Sequence, residues 1–267
     1  MPRGARRAKS SDMTGGNTTV PAVLAVIPAR YASTRLPGKP LSIILGKPMI
    51  QRVFERVRKA ATISKVVVAT DDERIRAAVQ AFGGEAVLTR TDHLNGTERV
   101  AEVAIHIEAA IYVNIQGDEP LIAPAAIDAV AAAMLEDESV QIATPCSLIR
   151  HKNEIMDPNI VKVARDFDSN GLYFSRAPIP WVRDSAGSVA ASHWKHIGLY
   201  GYRREALLEY PTLPPGELER IEQLEQLRWL ENGYRIRTVE SDYDAVSVDI
   251  PADISRVEEL IRSRGES

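Results

Sequence analysis

The sequence has 267 residues, of which 45% are hydrophobic and 26% charged, and its formal net charge is -3. This length and composition are typical of a globular enzyme that needs no disulfide to stabilise its fold, and the slight negative charge argues against a dedicated nucleic-acid-binding protein. No apolar run approaches the roughly 18 residues of a membrane-spanning helix, so no membrane partner is expected. Cys146 is the only cysteine, which excludes a thiolate zinc site, and its apolar neighbours favour a buried structural thiol over a nucleophile.

Residues 1–20 differ in composition from the rest of the chain. They carry four basic residues and one acid among Gly, Ser and Thr, and they lack the apolar region of a secretory signal. We expect a disordered leader here, with Met13 as an alternative start, and a cytoplasmic enzyme. A single domain is expected over 21–267, with a change of pattern near residue 150.

Short apolar runs alternate with helical patterns from residue 22 to about residue 150. The runs are rich in Val, Ile or Ala and alternate little with polar residues, as expected for parallel strands buried on both faces. The predicted strands are Ala22–Ile27, Lys65–Ala69, Ile111–Ile115 and Gln141–Thr144. The predicted helices are one with the stripe Ile50, Val53, Phe54 and Val57 and with Pro48 in its first turn, then Asp72–Phe82, Thr97–Ile107 and Pro124–Leu135. This order predicts a doubly wound sheet, which binds ligands beyond the carboxyl ends of its strands.

The second half is richer in strand patterns. A hairpin signal, a further strand, a long helix ended by Gly233, two more strands and a closing helix follow one another. These elements are predicted at Ile160–Arg165 with Gly171–Ser175, His196–Tyr202, Glu217–Asn232, Tyr234–Glu240 with Val246–Val248, and Pro251–Arg262. We therefore expect one mixed α/β fold in which the second half completes a pocket begun by the first.

The segment Pro28–Pro40 follows the first predicted strand directly. It places Arg30, Arg35 and Lys39 close together, with hydroxyl side chains and a glycine between them. A triphosphate carries about four negative charges, and Arg and Lys are its usual protein partners. The chain has neither a P-loop nor a dinucleotide fingerprint, which argues against an ATPase or a dehydrogenase. The alternative is a solvated surface loop, but the position after the first strand of the sheet favours triphosphate binding.

Seven sequence blocks carry a resemblance to a known family. They are PARYASTRLPGKPL, VATDDERI, TRTDHLNGTERVAE, VNIQGDEPLI, LYFSRAPIPW, HIGLYGY and LEQLRWLENG, in this order from about residue 22 onwards. The chain thus resembles the 3-deoxy-manno-octulosonate cytidylyltransferases (CMP-KDO synthetases). The resemblance implies a Rossmann-like nucleotide-diphospho-sugar transferase fold with a mixed, mostly parallel central sheet. It also implies a homodimer that converts CTP and KDO into CMP-KDO and pyrophosphate for lipopolysaccharide synthesis.

Two carboxylates lie at the ends of predicted strands. Asp118 follows the third strand, and Asp249 follows the run Val246–Val248. An Asp at a strand end often caps a helix, but a pair of carboxylates can also hold a hard cation that bridges phosphates. The resemblance implies that Asp118 and Asp249 hold Mg²⁺.

The resemblance also implies a nucleotide site in the first half of the domain, about 21–150. Thr97 and Glu98 can simply open a helix, whereas Gly96 allows a planar base to approach the backbone closely. We choose Arg90 and Gly96 for the base pocket; the family usually carries Ser at the position of Asn95. The full predicted nucleotide set is Pro28, Ala29, Arg30, Ser33, Arg35, Lys39, Arg90, Asn95 and Gly96.

The second half, 151–267, is expected to bind the sugar and to form the dimer. By resemblance the sugar set is Gln116, Arg176, His196, Tyr200, Glu225 and Gln226, and Arg176 is suited to bind the carboxylate of the substrate. Glu225 alone would favour a helix salt bridge, and the resemblance moves it to the pocket. His193 and His196 have no Asp partner nearby in the sequence, so His196 is assigned to binding and not to catalysis.

The expected mechanism needs no covalent enzyme intermediate. The 2-hydroxyl of the sugar attacks the α-phosphorus in line, with Arg30, Arg35, Lys39 and Asp118 as the catalytic residues. The alternatives are a cytidylyltransferase for another acidic sugar, such as amino-KDO or a sialic acid, and a nucleotide-binding paralogue without activity. A sugar-1-phosphate uridylyl- or thymidylyltransferase is less favoured because its usual glycine-rich first loop is absent.

Overall fold

The computed structural model describes residues 22–33, 35–183 and 192–265. The leader expected at 1–20 and Thr34 of the triphosphate segment lie outside these ranges. Within them, no helix is long and apolar enough to cross a membrane.

The first half forms four parallel strands in the order β5-β4-β1-β6, with helices between them. The elements are β1 (Val23–Ala29), β2 (Ile43–Ile44), β3 (Lys47–Pro48), α1 (Met49–Val57), β4 (Lys65–Thr70), α2 (Glu73–Ala81), β5 (Glu85–Leu88), α3 (Gly96–His106), β6 (Ile111–Asn114) and α4 (Pro124–Glu136). The predicted strands and helices of this half are confirmed. Pro48 lies one position earlier than predicted, as the residue before the first turn of α1.

The second half extends the same sheet beyond β6. Its elements are β7 (Ile142–Leu148), α5 (Lys152–Met156), β8 (Lys162–Arg165), β9 (Gly171–Ser175), β10 (Trp194–His196), β11 (Tyr200–Arg203), α6 (Arg204–Glu209), α7 (Glu217–Glu222), α8 (Gln226–Glu231), β12 (Arg237–Glu240) and α9 (Pro251–Ser263). Strands β9, β10 and β11 run against the others. The predicted mixed, mostly parallel α/β fold is therefore confirmed.

Both faces of the sheet are covered by apolar side chains. Alternate residues of β1 belong to opposite clusters: Ala25 and Ile27 pack with α1, α2 and α4, while Leu24 and Val26 pack with α3 and the second half. All four are completely buried. This explains why β1 reads as a continuous apolar run. Cys146 is buried in the second cluster, as predicted, and burial raises the pKa of its thiol to about 11.

Two predicted strands of the second half are wrong, and one strand of the first half was not predicted. The run His196–Tyr202 is two strands: His196 faces Cys146 and Gly201 faces Ala143, so the residues between them interrupt the pairing with β7. The run Val246–Val248 forms no strand. Strand β5 was not predicted, because this half-exposed edge strand lacks the long apolar run of its neighbours.

The predicted helix Glu217–Asn232 is broken into α7 and α8. Gln223 adopts a left-handed backbone with φ 54°. The carboxylate of Glu222 accepts hydrogen bonds from the Ser175 hydroxyl (2.5 Å) and the Arg176 amide (2.9 Å). These contacts with β9 are not local in sequence, which explains why the helical pattern did not reveal the break.

The buried ammonium group of Lys162 stabilises the second half through hydrogen bonds to three backbone carbonyls. Its ammonium group has no exposed surface and donates to the carbonyls of Asp157 (2.8 Å), Ile160 (2.6 Å) and Arg176 (2.5 Å). Lys162→Met leaves these carbonyls without that donor, so we expect a loss of roughly 3 kcal/mol in the free energy of unfolding. Thermal unfolding should show this loss, with the exposed Lys152→Met as the control; equal melting temperatures for both variants would contradict it.

Candidate active site

The carboxyl ends of β1 and β6 approach each other closely. Gly117 follows β6, and a Cβ atom on it would lie 2.8 Å from the carbonyl oxygen of Pro28. Gly38 has φ 70°, and its amide donates to the carbonyl of Tyr31 (3.0 Å), which folds the segment after β1 back on itself. The turn places Lys39 beside the end of β6.

Lys39 contacts both carboxylates that the sequence singled out. Its ammonium nitrogen lies 2.6 Å from Asp118 Oδ2 and 3.2 Å from Asp249 Oδ1, and it also donates to the carbonyl of Val248 (3.0 Å). Arg35 pairs with the same oxygen of Asp249 at 2.9 Å. The structure therefore brings two predicted cations and two predicted carboxylates into one charge cluster.

Asp249 reaches this cluster from an irregular segment and not from a strand end. The Val248 amide donates to the carbonyl of Asp118 (2.9 Å), and the Asp249 amide donates to the carboxylate of Asp253 (2.8 Å). Asp253 also accepts from the amide of Ile250 at the start of α9. The prediction of a strand here was wrong, yet these bonds place Asp249 opposite Asp118.

The carboxylates of Asp118 and Asp249 both contact the ammonium group of Lys39, so they lie close enough together to share one cation. This arrangement fits a divalent metal ion. In the described ranges no set of three or more His, Cys, Asp or Glu side chains is arranged to hold a metal ion. Mg²⁺ commonly takes only one or two protein carboxylates and completes its shell with water and substrate phosphates. The donor set therefore suits a Mg²⁺ that arrives with a polyphosphate.

A cavity of about 420 Å³, here called the Lys39 cavity, surrounds the charge cluster. It is lined by residues of β1, of the segment after β1, of the start of α3 and of the segment after β6. The predicted site residues that line it are Pro28, Ala29, Arg30, Ser33, Arg35, Lys39, Asn95, Gly96, Gln116, Asp118, Glu225 and Asp249.

Asn95 also caps helix α3. Its side-chain oxygen accepts from the Glu98 amide (2.9 Å), and its side-chain nitrogen donates to the Tyr210 hydroxyl (3.2 Å). The helix-opening interpretation of this stretch is therefore correct, and the same turn forms a wall of the Lys39 cavity.

A second cavity of about 640 Å³, here called the His196 cavity, adjoins the first. The predicted sugar residues that line it are Gln116, His196, Tyr200, Glu225 and Gln226. Gln116 and Glu225 line both cavities, so a ligand in one space can meet a ligand in the other at these two side chains.

Glu225 lies at this junction because the break before α8 redirects the chain. Its carboxylate accepts a hydrogen bond from the Thr97 hydroxyl at 3.1 Å, across 128 positions of sequence. Burial raises the pKa of Glu225 despite this bond. The salt-bridge interpretation is not what the structure shows: Glu225 faces the cavities, and Arg228 pairs with Glu219 at 2.7 Å.

His196 is held in an apolar setting. Its ring packs edge-on against Phe174 and lies beside Tyr200, and its Nε2 lies 3.0 Å from the Thr144 hydroxyl. That hydroxyl also lies close to the carbonyls of Ile197 and Leu199, to one of which it donates. Burial lowers the pKa of His196 to about 3. A neutral imidazole can bind a hydroxyl but is a weak base, which agrees with a binding role.

Arg90 and Arg176 are not brought to either cavity. Arg90 is largely exposed and pairs with Asp92 at 3.1 Å. The Arg176 guanidinium donates to the carbonyls of Glu222 (2.8 Å), Pro158 (3.0 Å) and Gln223 (3.4 Å). His193 likewise does not line them; its Nε2 contacts the carbonyl of Pro180.

Sequence reasoning missed Asn114, which lines the His196 cavity. This residue is 2% exposed, and its side-chain oxygen has no hydrogen-bond partner; the side-chain nitrogen of Gln226, in the same cavity, has none either. Buried polar atoms normally find partners, so these two atoms are suited to a polar ligand. Two sequence signals point to Asn114: its place near the carboxyl end of the predicted strand Ile111–Ile115, and its presence in the block VNIQGDEPLI.

Comparison with known proteins identifies close relatives. The profile of the family described as Cytidylyltransferase matches residues 24–236. The chain is 53% identical over 246 residues to the 3-deoxy-manno-octulosonate cytidylyltransferase of Syntrophotalea carbinolica, covering 90% of this chain and 98% of that protein. It is 52% identical over 241 residues to the enzyme of the same name from Solibacter usitatus, covering 90% and 95%. A solved CMP:2-keto-3-deoxy-manno-octonic acid synthetase complexed with CTP matches with a TM-score of 0.87 and 46% identity, over 91% of this chain and 99% of that one.

The protonation state of His196 can be measured directly. Because burial holds its pKa near 3, the ring should stay neutral, and its proton resonances should not shift between pH 8 and pH 5. NMR of the ring protons, assigned with His196→Gln, tests this, with free histidine, whose imidazole pKa is about 6.5, as the titrating reference. A titration of His196 midway through that range would contradict the neutral binding role.

Proposed function

The chain belongs to the 3-deoxy-manno-octulosonate cytidylyltransferases, and from this premise we propose that it transfers the cytidylyl group of CTP to 3-deoxy-manno-octulosonate (KDO). The observation that carries the proposal is the junction of the two cavities at Gln116 and Glu225. A triphosphate among the cations of the Lys39 cavity and a sugar in the His196 cavity would meet there. The product, CMP-KDO, would activate KDO for lipopolysaccharide synthesis.

We assign the triphosphate to Arg30, Arg35 and Lys39. These cations line one cavity, and Lys39 has three oxygen contacts that a phosphate can replace. Pro28 and Ala29 at the end of β1 and Ser33 after it would contact the nucleotide, and Asn95 with Gly96 would approach the base. Arg90 would have to leave Asp92 to join them, which makes it the least supported member of this set.

Asp118 and Asp249 would hold Mg²⁺. When bound there, the ion would offset phosphate charge and lower the pKa of the attacking hydroxyl. With the ion held by these two carboxylates, the Lys39 ammonium group would be free to donate to phosphate oxygens. This exchange would use three groups that already contact one another in the structure: Lys39, Asp118 and Asp249.

We assign the acceptor sugar to the His196 cavity. Gln116, Tyr200, Glu225 and Gln226 offer donors and acceptors to its hydroxyls, together with neutral His196. Arg176 could bind the sugar carboxylate only after its guanidinium group breaks its hydrogen bonds to three backbone carbonyls of the protein.

The chemistry is a single displacement at the α-phosphorus. The 2-hydroxyl oxygen of the sugar forms a bond to the α-phosphorus, the bond from this phosphorus to pyrophosphate breaks, and the hydroxyl proton is released to solvent. Arg30, Arg35 and Lys39 stabilise the charge that develops on the departing pyrophosphate. No side chain forms a covalent intermediate.

We further propose a cytoplasmic homodimer that forms through the second half. Five large apolar side chains in the described part of that half are strongly exposed: Met156 (65%), Phe167, Leu172 (63%), Trp181 (74%) and Ile221 (70%). We assign these exposed apolar side chains to contacts with a second copy of the chain.

The substrate assignment is tested by pyrophosphate release from CTP with a panel of acidic sugars. We expect release with KDO that requires Mg²⁺. Release with amino-KDO or a sialic acid, and none with KDO, would replace the acceptor. If no sugar gives release above background, the chain is a nucleotide-binding paralogue without activity.

The charge cluster makes a second prediction. Lys39→Ala removes a preorganised phosphate contact, and Asp118→Asn removes a metal-binding charge, so each should lower kcat by at least about 100-fold while the protein stays folded. Steady-state kinetics with circular dichroism measures both effects. Lys47→Ala is the matched control, because Lys47 pairs with Glu55 (2.8 Å) outside both cavities. A near-normal kcat for either site variant would remove its assigned role.

A further inference from the structure

Glu119 is a buried carboxyl group that the proposed reaction does not use. It directly follows Asp118, but it is only 6% exposed and does not line the Lys39 cavity. Its Oε2 accepts a hydrogen bond of 3.1 Å from the Tyr243 hydroxyl. Burial, with the nearby charge of Asp118, raises the pKa of Glu119 to about 7.

This pair is a poor device for stability alone. Removing a carboxyl group from water is unfavourable, and one tyrosine hydroxyl compensates only part of the loss. An apolar side chain at position 119 would avoid that cost and pack in the same space. A buried carboxyl group beside a functional residue therefore indicates a role in the site.

Tyr243 lies in the same irregular segment as Asp249. Residues 241–250 form no helix or strand between β12 and α9. The segment is tied at its start by the Ser241 amide to the carbonyl of Cys146 (2.9 Å) and near its end by the Val248 amide to the carbonyl of Asp118 (2.9 Å). Between these points the Tyr243 ring is buried, and its hydroxyl donates to the carboxylate of Glu119.

We propose that Glu119 and Tyr243 form a latch that sets the position of Asp249 relative to Asp118. The hydrogen bond of the latch joins Glu119, which follows Asp118, to the segment that carries Asp249. Both are positioning residues, because neither touches the ligand cavity around Lys39. This inference rests on the proposed function, since the distance between the two carboxylates matters only if they share a divalent cation.

The latch predicts a selective loss of metal affinity. Tyr243→Phe keeps the buried ring and removes the hydroxyl, so the protein should stay folded while its affinity for metal falls by at least about tenfold. Binding of Mn²⁺ in the presence of CTP, measured by electron paramagnetic resonance without sugar, gives the affinity independently of turnover. In turnover assays the Mg²⁺ needed for half-maximal rate should rise similarly, with kcat at saturating Mg²⁺ retained.

Two variants separate the latch from general damage. Glu119→Gln keeps an oxygen that accepts from the Tyr243 hydroxyl and should bind Mn²⁺ as the wild type does. Tyr234→Phe is the matched control, because the Tyr234 hydroxyl also donates to a carboxylate, that of Glu209, outside both cavities. It should leave Mn²⁺ binding unchanged.

A double-mutant comparison completes the test. Glu119→Leu should weaken Mn²⁺ binding as Tyr243→Phe does, and the double variant should be no weaker than either, because one bond is lost in each case. Wild-type affinity in Tyr243→Phe, or additive losses in the double variant, would overturn the latch and leave the proposed function standing. If the wild type shows no CTP-dependent Mn²⁺ binding at all, both the latch and the assigned metal site fail.

Discussion

The contact of Lys39 with both Asp118 and Asp249 is the interaction on which the site depends, because it joins parts of the chain separated by 79 and 210 positions. Like charges of two carboxylates at one place repel each other unless a cation lies between them. Lys39 supplies that cation in the protein alone. The site is thus built around a position for positive charge, and we propose that a lysine and a metal ion exchange there.

The sheet explains why these groups meet. Strands β1 and β6 are parallel neighbours, so their carboxyl ends deliver the segment after β1 and Asp118 to the same edge. The second half then adds the His196 cavity on the other side of Gln116 and Glu225. If each substrate binds in one cavity, as proposed, each is oriented before bond formation, which would reduce the entropic cost of the bimolecular reaction.

Most of the fold and the cationic segment that lines the Lys39 cavity could be predicted from the sequence, because both depend on local patterns. The buried parallel strands and the cations of Pro28–Pro40 show this. Long-range contacts could not be predicted: the break at Gln223 depends on bonds of Glu222 with β9, and the place of Asp249 depends on an irregular segment. The positions of Arg90 and Arg176 were carried over from the family, and in this structure both side chains bind partners of the protein itself.

A crystal structure of the protein with CTP and Mg²⁺ tests the central claim most directly, through the separation of Lys39 Nζ from Asp118 Oδ2. That separation is 2.6 Å in the protein alone. The account predicts that it increases beyond bonding distance, with both carboxylates at the metal and Lys39 at a phosphate oxygen. A Lys39 that still bridges Asp118 and Asp249 while CTP and Mg²⁺ are bound elsewhere would contradict it.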